Sequence, residues 1–173
     1  MYSLNYFEEV LGKFGENYGD RGEFAIMAPF VVSGGRVHLL FEVRSYNLRR
    51  QPGEVCFPGG RIEKAEEPCE CALRETGEEL GIPGSRIKLI GSVGNMYSLL
   101  NEKINVFAGE ILDYEERKVD ANPDEVHEIF TAPFEFFARR GPQDSFNYDG
   151  HYIWGLTARA VNKIIKLCGE GLK

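Results

Sequence analysis

A chain of 173 residues with 43% hydrophobic and 27% charged residues has the size and composition of one folded domain, which excludes a disordered tract. A net charge of −7 argues against a nucleic-acid binder built on a basic face, and no run approaches the ~20 apolar residues of a membrane span. The N-terminal residues show no basic segment followed by an apolar run, so the expectation is a cytoplasmic protein with no membrane partner.

In chain order, Leu4, Phe7, Val10, Leu11 and Phe14 recur at helical spacing and predict an amphipathic helix over 3–15. Two strand-like runs, 24–32 and 36–44, are joined by Ser33-Gly34-Gly35, a hairpin turn. Turn signals at 51–53 and 58–60 bracket a short strand, 55–57. A helix is predicted over 68–80, with Pro68 suited to its first turn and Gly81 to the position past its end. Strands follow at 86–93, 104–112 and 126–131, then a short helix at 133–139, a strand end at 152–154 and an amphipathic helix at 157–168. The sum is an α/β or α+β domain, a mixed sheet with helices packed on it. The four cysteines, Cys56, Cys69, Cys71 and Cys168, are expected to be reduced and partly buried thiols.

The chemistry concentrates in Arg74-Glu75-Thr76-Gly77-Glu78-Glu79-Leu80-Gly81. At ~100° per residue, Glu75 and Glu79 share one helix face and Glu78 lies beside them. Three carboxylates in one turn repel each other, and a hard divalent cation with oxygen ligands, Mg²⁺ or Mn²⁺, removes that penalty. The bland alternative is a solvated acidic face. Among the other candidates, His127 and His151 read as surface or hydrogen-bonded histidines, and Tyr97, Tyr152 and Trp154 read as core aromatics that could instead stack on a base.

The wider pattern decides between those alternatives. Gly60, Glu66, Arg74-Glu75, Glu78-Glu79, Gly81 and Ile82 match the Nudix box, G-x5-E-x7-R-E-U-x-E-E-x-G-U, in spacing, with Thr76 where a bulky aliphatic is usual. The chain thus resembles the Nudix hydrolases. A single domain over 1–173 is expected, an α/β/α sandwich with a loop–helix–loop motif and its box at 60–82. The resemblance implies that Glu75 and Glu79 ligate metal, with Glu78 as a further ligand or base and the Gly60 carbonyl in reach. It also implies that Arg74 and Glu66 support them. A cation held there would polarise a phosphoryl oxygen and acidify a water.

Upstream, residues 40–60 resemble the signature of coenzyme A pyrophosphatases from Arg44-Ser45 through Arg49, Gly53 and Phe57-Pro58-Gly59-Gly60. Phe41 and Glu42 stand where that signature favours Leu and Thr. Residues 152–158 also look like this subgroup. The resemblance implies hydrolysis of the diphosphate of coenzyme A or a derivative, giving 4′-phosphopantetheine and adenosine 3′,5′-bisphosphate. Arg44 and Arg49, with Arg61 beside the box glycine, carry planar charged forks suited to phosphate oxygens. The base stays between Glu78 and Glu125, the latter in the Asn122-Pro123-Asp124-Glu125 turn. The rivals are a Nudix enzyme for ADP-ribose or a dinucleoside polyphosphate, and a Nudix-fold nucleotide-binding module without catalysis. The partner is a small nucleotide-like substrate. A homodimer is compatible with the sequence, which leaves the oligomeric state open.

Overall fold

The computed structural model describes residues 2–15, 19–115 and 119–170. An N-terminal helix, α1 (Leu4–Leu11), runs into a 3₁₀ turn at Gly12–Phe14, so the helix expected over 3–15 divides in two. Strands β1 (Phe24–Ser33) and β2 (Arg36–Arg44) form the expected hairpin. Next come β3 (Val55–Cys56), β4 (Gly59–Arg61), helix α2 (Pro68–Leu80), β5 (Ile87–Tyr97), β6 (Lys103–Ile111) and β7 (Val126–Pro133). The chain closes with α3 (Phe134–Arg140), β8 (Ser145–Tyr148), β9 (His151–Trp154) and α4 (Gly155–Glu170). Two strands were not read from the sequence. The glycines expected to turn at 58–60 instead lead into β4, and β8 carries only one buried side chain, too weak a period to register.

Seven strands make one mixed sheet. Its main path is β3-β2-β1-β6-β5, with β4 on β1 and β7 on the other edge of β2. Strands β1 and β6 are parallel, and the other pairs are antiparallel. β1 and β2 pair only near their hairpin, from Phe30↔Leu39 to Ser33↔Arg36. Beyond it they splay, and the segment 55–61 fills the gap. β3 pairs with Glu42 and Val43 of β2, while β4 pairs with residues 24–26 of β1. The Met27 N–H donates to the Pro58 carbonyl at 2.9 Å and fixes the wedge.

Both faces of the sheet are covered, so β2 is buried almost continuously rather than in alternation. One face packs against α1, α3 and α4 through residues such as Phe7, Phe30, Phe41, Phe134 and Val161. The other packs against α2 through Ala25, Met27, Leu40, Ala72 and Leu80. The result is the expected α/β/α sandwich. Among the described residues no helix is long and apolar enough to cross a membrane.

Candidate active site

Helix α2 is built to hold its carboxylates still. Glu67 and Glu70 close a reciprocal capping box at its N-terminus, and Pro68 takes the first turn, where its missing N–H costs nothing. Gly81 ends the helix at φ 62°, a left-handed conformation. A Cβ there would also run into the Asp120 carbonyl oxygen. Thr76, in the aliphatic slot of the box, is fully buried, and its hydroxyl donates to the Ala72 carbonyl at 2.7 Å. That bond satisfies the polar atom within the helix and leaves the methyl for packing.

Arg74 organises the outer half of the site. Its Nε and Nη2 make a fork on Glu66 at 2.7 and 3.0 Å, and its Nη1 reaches Glu75 Oε1 at 2.8 Å and Glu78 Oε2 at 3.2 Å. The guanidinium holds the Glu66 carboxyl at about 2. Burial pushes Glu75 up, against the pull of Arg74. Gly60 lies on β4 beneath Glu75, and a Cβ at that position would collide with the Glu75 carboxylate. Glycine is therefore required for the carboxylate to lie against the main chain.

Glu79 points inward, only 6% exposed, and its Oε2 accepts the Gly59 N–H at 2.9 Å. Burial pushes its pKa up to about 8; the Gly59 N–H opposes this, and the charges of Glu125 and Glu75 add to it. Glu78 is turned the other way, 58% exposed at the side chain. Glu125 reaches the group through the turn before β7. The Asn122 N–H donates to the Glu79 carbonyl at 2.8 Å, and Asn122 Nδ2 donates to Glu125 Oε2 at 3.2 Å. The Ser45 N–H donates to the Glu125 carbonyl at 2.8 Å, tying that turn to the end of β2. Asn122 is thus a positioning residue that the sequence reading did not single out.

Glu42 is the other residue missed. It was noted only as a departure from a pattern, although a carboxylate inside the apolar run 37–43 was itself a signal. It is 2% exposed, and its carboxyl stands against that of Glu79 at hydrogen-bonding range. Burial first, then Glu79, raises it well above the usual carboxylate range. The structure therefore gathers Glu42, Glu75, Glu79 and Glu125 at the splay of β1 and β2, with Glu78 at the rim.

Of the arginines expected to meet phosphate, Arg44 is the one whose charge reaches this cluster among the described residues. Arg44 is half-buried at the end of β2, with its Nε donating to the Arg50 carbonyl at 3.4 Å, and its charge acts on Glu42 and Glu79. Arg49 is exposed on the following turn. Arg61 lies with its guanidinium 4.7 Å over the Phe24 ring. His127 is exposed and edge-on to Tyr46, while His151 stacks on Phe130 and sits 3.1 Å from Glu128.

The reading of Tyr97, Tyr152 and Trp154 as core is wrong: they are 50%, 55% and 43% exposed. Tyr97 is the last residue of β5, and in β9, paired only with β8 in a separate two-stranded sheet, the alternation turns Ile153 inward and Tyr152 and Trp154 outward. Tyr152 and Trp154 line a cleft of about 460 Å³ with Tyr46 and Val43, on the sheet face away from α2. Among the described residues the four cysteines form no disulfide, with Cys56 half-buried and the other three buried. Cys69 and Cys71, two residues apart on α2, both enter the α2-side core.

Among the described residues, no three His, Cys, Asp or Glu side chains converge tightly enough to enclose an ion. The chemistry of the donor set nevertheless fits a hard divalent cation. Its donors are carboxylate oxygens, burial leaves them short of compensation, and Glu42 Oε1 has no hydrogen-bond partner.

A family model described as the NUDIX domain matches residues 24–148. The peroxisomal coenzyme A diphosphatase NUDT7 of Mus musculus is 34% identical over 116 residues, 66% of this chain and 48% of that protein. Nudix hydrolase 3 of Caenorhabditis elegans is 33% identical over 127 residues, 70% of this chain and 52% of that protein. The chain spans about half the length of these two relatives. The Nudix hydrolase NudL of Citrobacter koseri is 29% identical over 163 residues, 84% of this chain and 82% of that protein. Among solved structures, a C. elegans Ap4A hydrolase binary complex superposes with a TM-score of 0.61 at 14% identity, covering 86% of this chain and 97% of that one. The M. smegmatis Nudix hydrolase RenU gives 0.61 at 13%, covering 88% of each chain. At such identities the likeness is one of fold.

Proposed function

The chain belongs to the Nudix family, and from that membership we propose that it hydrolyses the diphosphate linkage of coenzyme A or one of its derivatives. The observation that carries this reading is the folded box: Glu75 and Glu79 lie against Gly60 and Gly59, and Arg74 ties Glu66, Glu75 and Glu78 together. The substrate class rests on the residues from Arg44 to Gly60 and on the similarity to a coenzyme A diphosphatase.

Glu75 and Glu79 would hold Mg²⁺ or Mn²⁺, with the Gly60 carbonyl and Glu78 available at the outer side. When bound, the cation neutralises phosphoryl oxygens and lowers the pKa of a water. The protein's own groups do the rest. Arg74 keeps the outer carboxylates in one geometry, and the Gly59 N–H fixes Glu79. Arg44, half-buried beside the cluster, meets the diphosphate, and exposed Arg49 meets the 3′-phosphate. We assign the base to Glu125 rather than Glu78, because its charge is felt at the two inner carboxylates, Glu42 and Glu79, while Glu78 faces solvent and is held by Arg74. Glu125 takes a proton from the attacking water as its oxygen bonds to phosphorus. The bridging P–O bond breaks, and its electron pair leaves with the departing phosphate.

The test is a turnover panel with Mg²⁺ or Mn²⁺, with and without chelator. Coenzyme A, acetyl coenzyme A, ADP-ribose, NADH and diadenosine polyphosphates are supplied side by side. Preferential release of adenosine 3′,5′-bisphosphate is the expected result. Preference for another substrate would discard the upstream signature as a guide, and absence of turnover would leave a nucleotide-binding module.

A further inference from the structure

Leu40 packs into the α2-side core, and the two-residue period of β2 turns Glu42 the same way. An apolar residue would fit that position. Glu42 is instead 2% exposed there, beneath the inner face of the box helix. Among the described residues its Oε1 has no hydrogen-bond partner, and its Oε2 accepts from the Cys56 thiol, a weak donor, at 3.9 Å. The nearest cation, Arg44, attracts it, yet among the described residues no basic side chain forms an ion pair with it. Its carboxyl abuts the Glu79 carboxyl, and the charge of Glu125 adds to the repulsion there.

Two carboxyls pressed together out of water are compensated by a proton or by a metal ion. Several features favour the ion. Glu79 is one wall of the pair and belongs to the box, and Glu75 and Glu125 bring further negative charge to bear on it. All the donors are oxygens, which hard cations require.

We propose that Glu42 is a ligand for a divalent cation that it shares with Glu79, on the inner side of the box helix. This rests on the reading of Glu79 as a metal ligand. The site is buried and offers protein oxygens in place of water. It therefore suits Mn²⁺ better than Mg²⁺, which dehydrates reluctantly and keeps several waters.

The test needs no substrate. Mn²⁺ is titrated into the full-length protein at fixed pH and followed by the loss of the free-ion EPR signal. The thermal midpoint is measured with Mn²⁺ and with chelator for the wild type, Glu42→Gln, Glu42→Thr and Glu79→Gln. The expected result is a weakening of the tightest Mn²⁺ binding by ~10-fold or more in both Glu42 variants, the range seen when a residue supporting a metal is lost. Both should also lose most of the Mn²⁺-induced rise in the midpoint, with near-UV dichroism unchanged. Should Glu42→Gln fail to fold, Glu42→Thr, the residue of the related signature, carries the same test. A folded Glu42 variant that binds Mn²⁺ as the wild type does, while Glu79→Gln does not, overturns the role of Glu42 and leaves the box intact. Unaltered binding in Glu79→Gln overturns both.

Discussion

Arg74 makes four hydrogen bonds to three carboxylates, and each depends on the planar fork that lysine lacks. Arg74→Lys should lower turnover by ~10–100-fold through misplaced carboxylates. The check is kcat measured beside Mn²⁺ affinity, since a variant that only loses stability would keep kcat per folded molecule. On the proposed function Glu79→Gln would remove a ligand rather than a support, so its loss of kcat should exceed that range while near-UV dichroism persists. Glu125→Gln, as the loss of a base, should cost ~10²–10⁴-fold in kcat and leave Mn²⁺ affinity nearly unchanged. Arg49 is exposed and free to meet a mobile phosphate. Arg49→Ala should raise KM for coenzyme A by ~10–100-fold, the loss of a charge-assisted bond, and spare a substrate lacking the 3′-phosphate. Equal losses for the two substrates would remove Arg49 from that role.

At the scale of elements, α2 matches the reading of its sequence because its signals are local. Glu67, Pro68, Glu70 and Gly81 each act within a turn of the helix end they define. Gly81→Ala would place a side chain at φ 62° and against the Asp120 carbonyl. It should cost ~1–2 kcal/mol for the backbone conformation alone, read as a lowered thermal midpoint. The segment 55–61 behaves differently. Pro58-Gly59-Gly60 reads as a turn, and the chain does bend there, but Gly59 and Gly60 then extend along β1 because β2 has splayed away. Strand pairing of that kind is decided by a partner more than thirty residues distant. Thr76 shows the converse: an apparent defect in the box pattern is repaired inside one helical turn by the Ala72 carbonyl.

At the scale of the molecule, the acid side of the stability profile should carry the signature of the Glu66–Arg74 pair. The Glu66 carboxyl falls from its ordinary 4.5 to about 2 on folding. Between those values the unfolded chain binds the extra proton. Its contribution to stability is therefore full above 4.5, shrinks as pH falls, and is lost below about 2. Denaturant midpoints measured from pH 6 down to about pH 2.5 should fall less steeply in Glu66→Gln than in the wild type. Parallel slopes would show that the pair does not govern this range.

Most of the elements in their order, β4 and β8 excepted, and the spacing of the box were legible in the sequence, because periodicity, caps and fixed spacings are properties of neighbours along the chain. The sequence by itself determined that three carboxylates share one helical turn and that a glycine precedes them at the family spacing. Only the tertiary structure decided which of those carboxylates is buried, since Glu78 and Glu79 are adjacent in sequence and differ by which one faces the sheet. It also decided that Glu42 and Glu125, each more than thirty residues from Glu79, come within its electrostatic reach: the charge of Glu79 acts on Glu42, and that of Glu125 acts on both. The splay of β1 and β2, with residues 55–61 paired to both strands, brings them together, and such pairing joins residues that are distant along the chain.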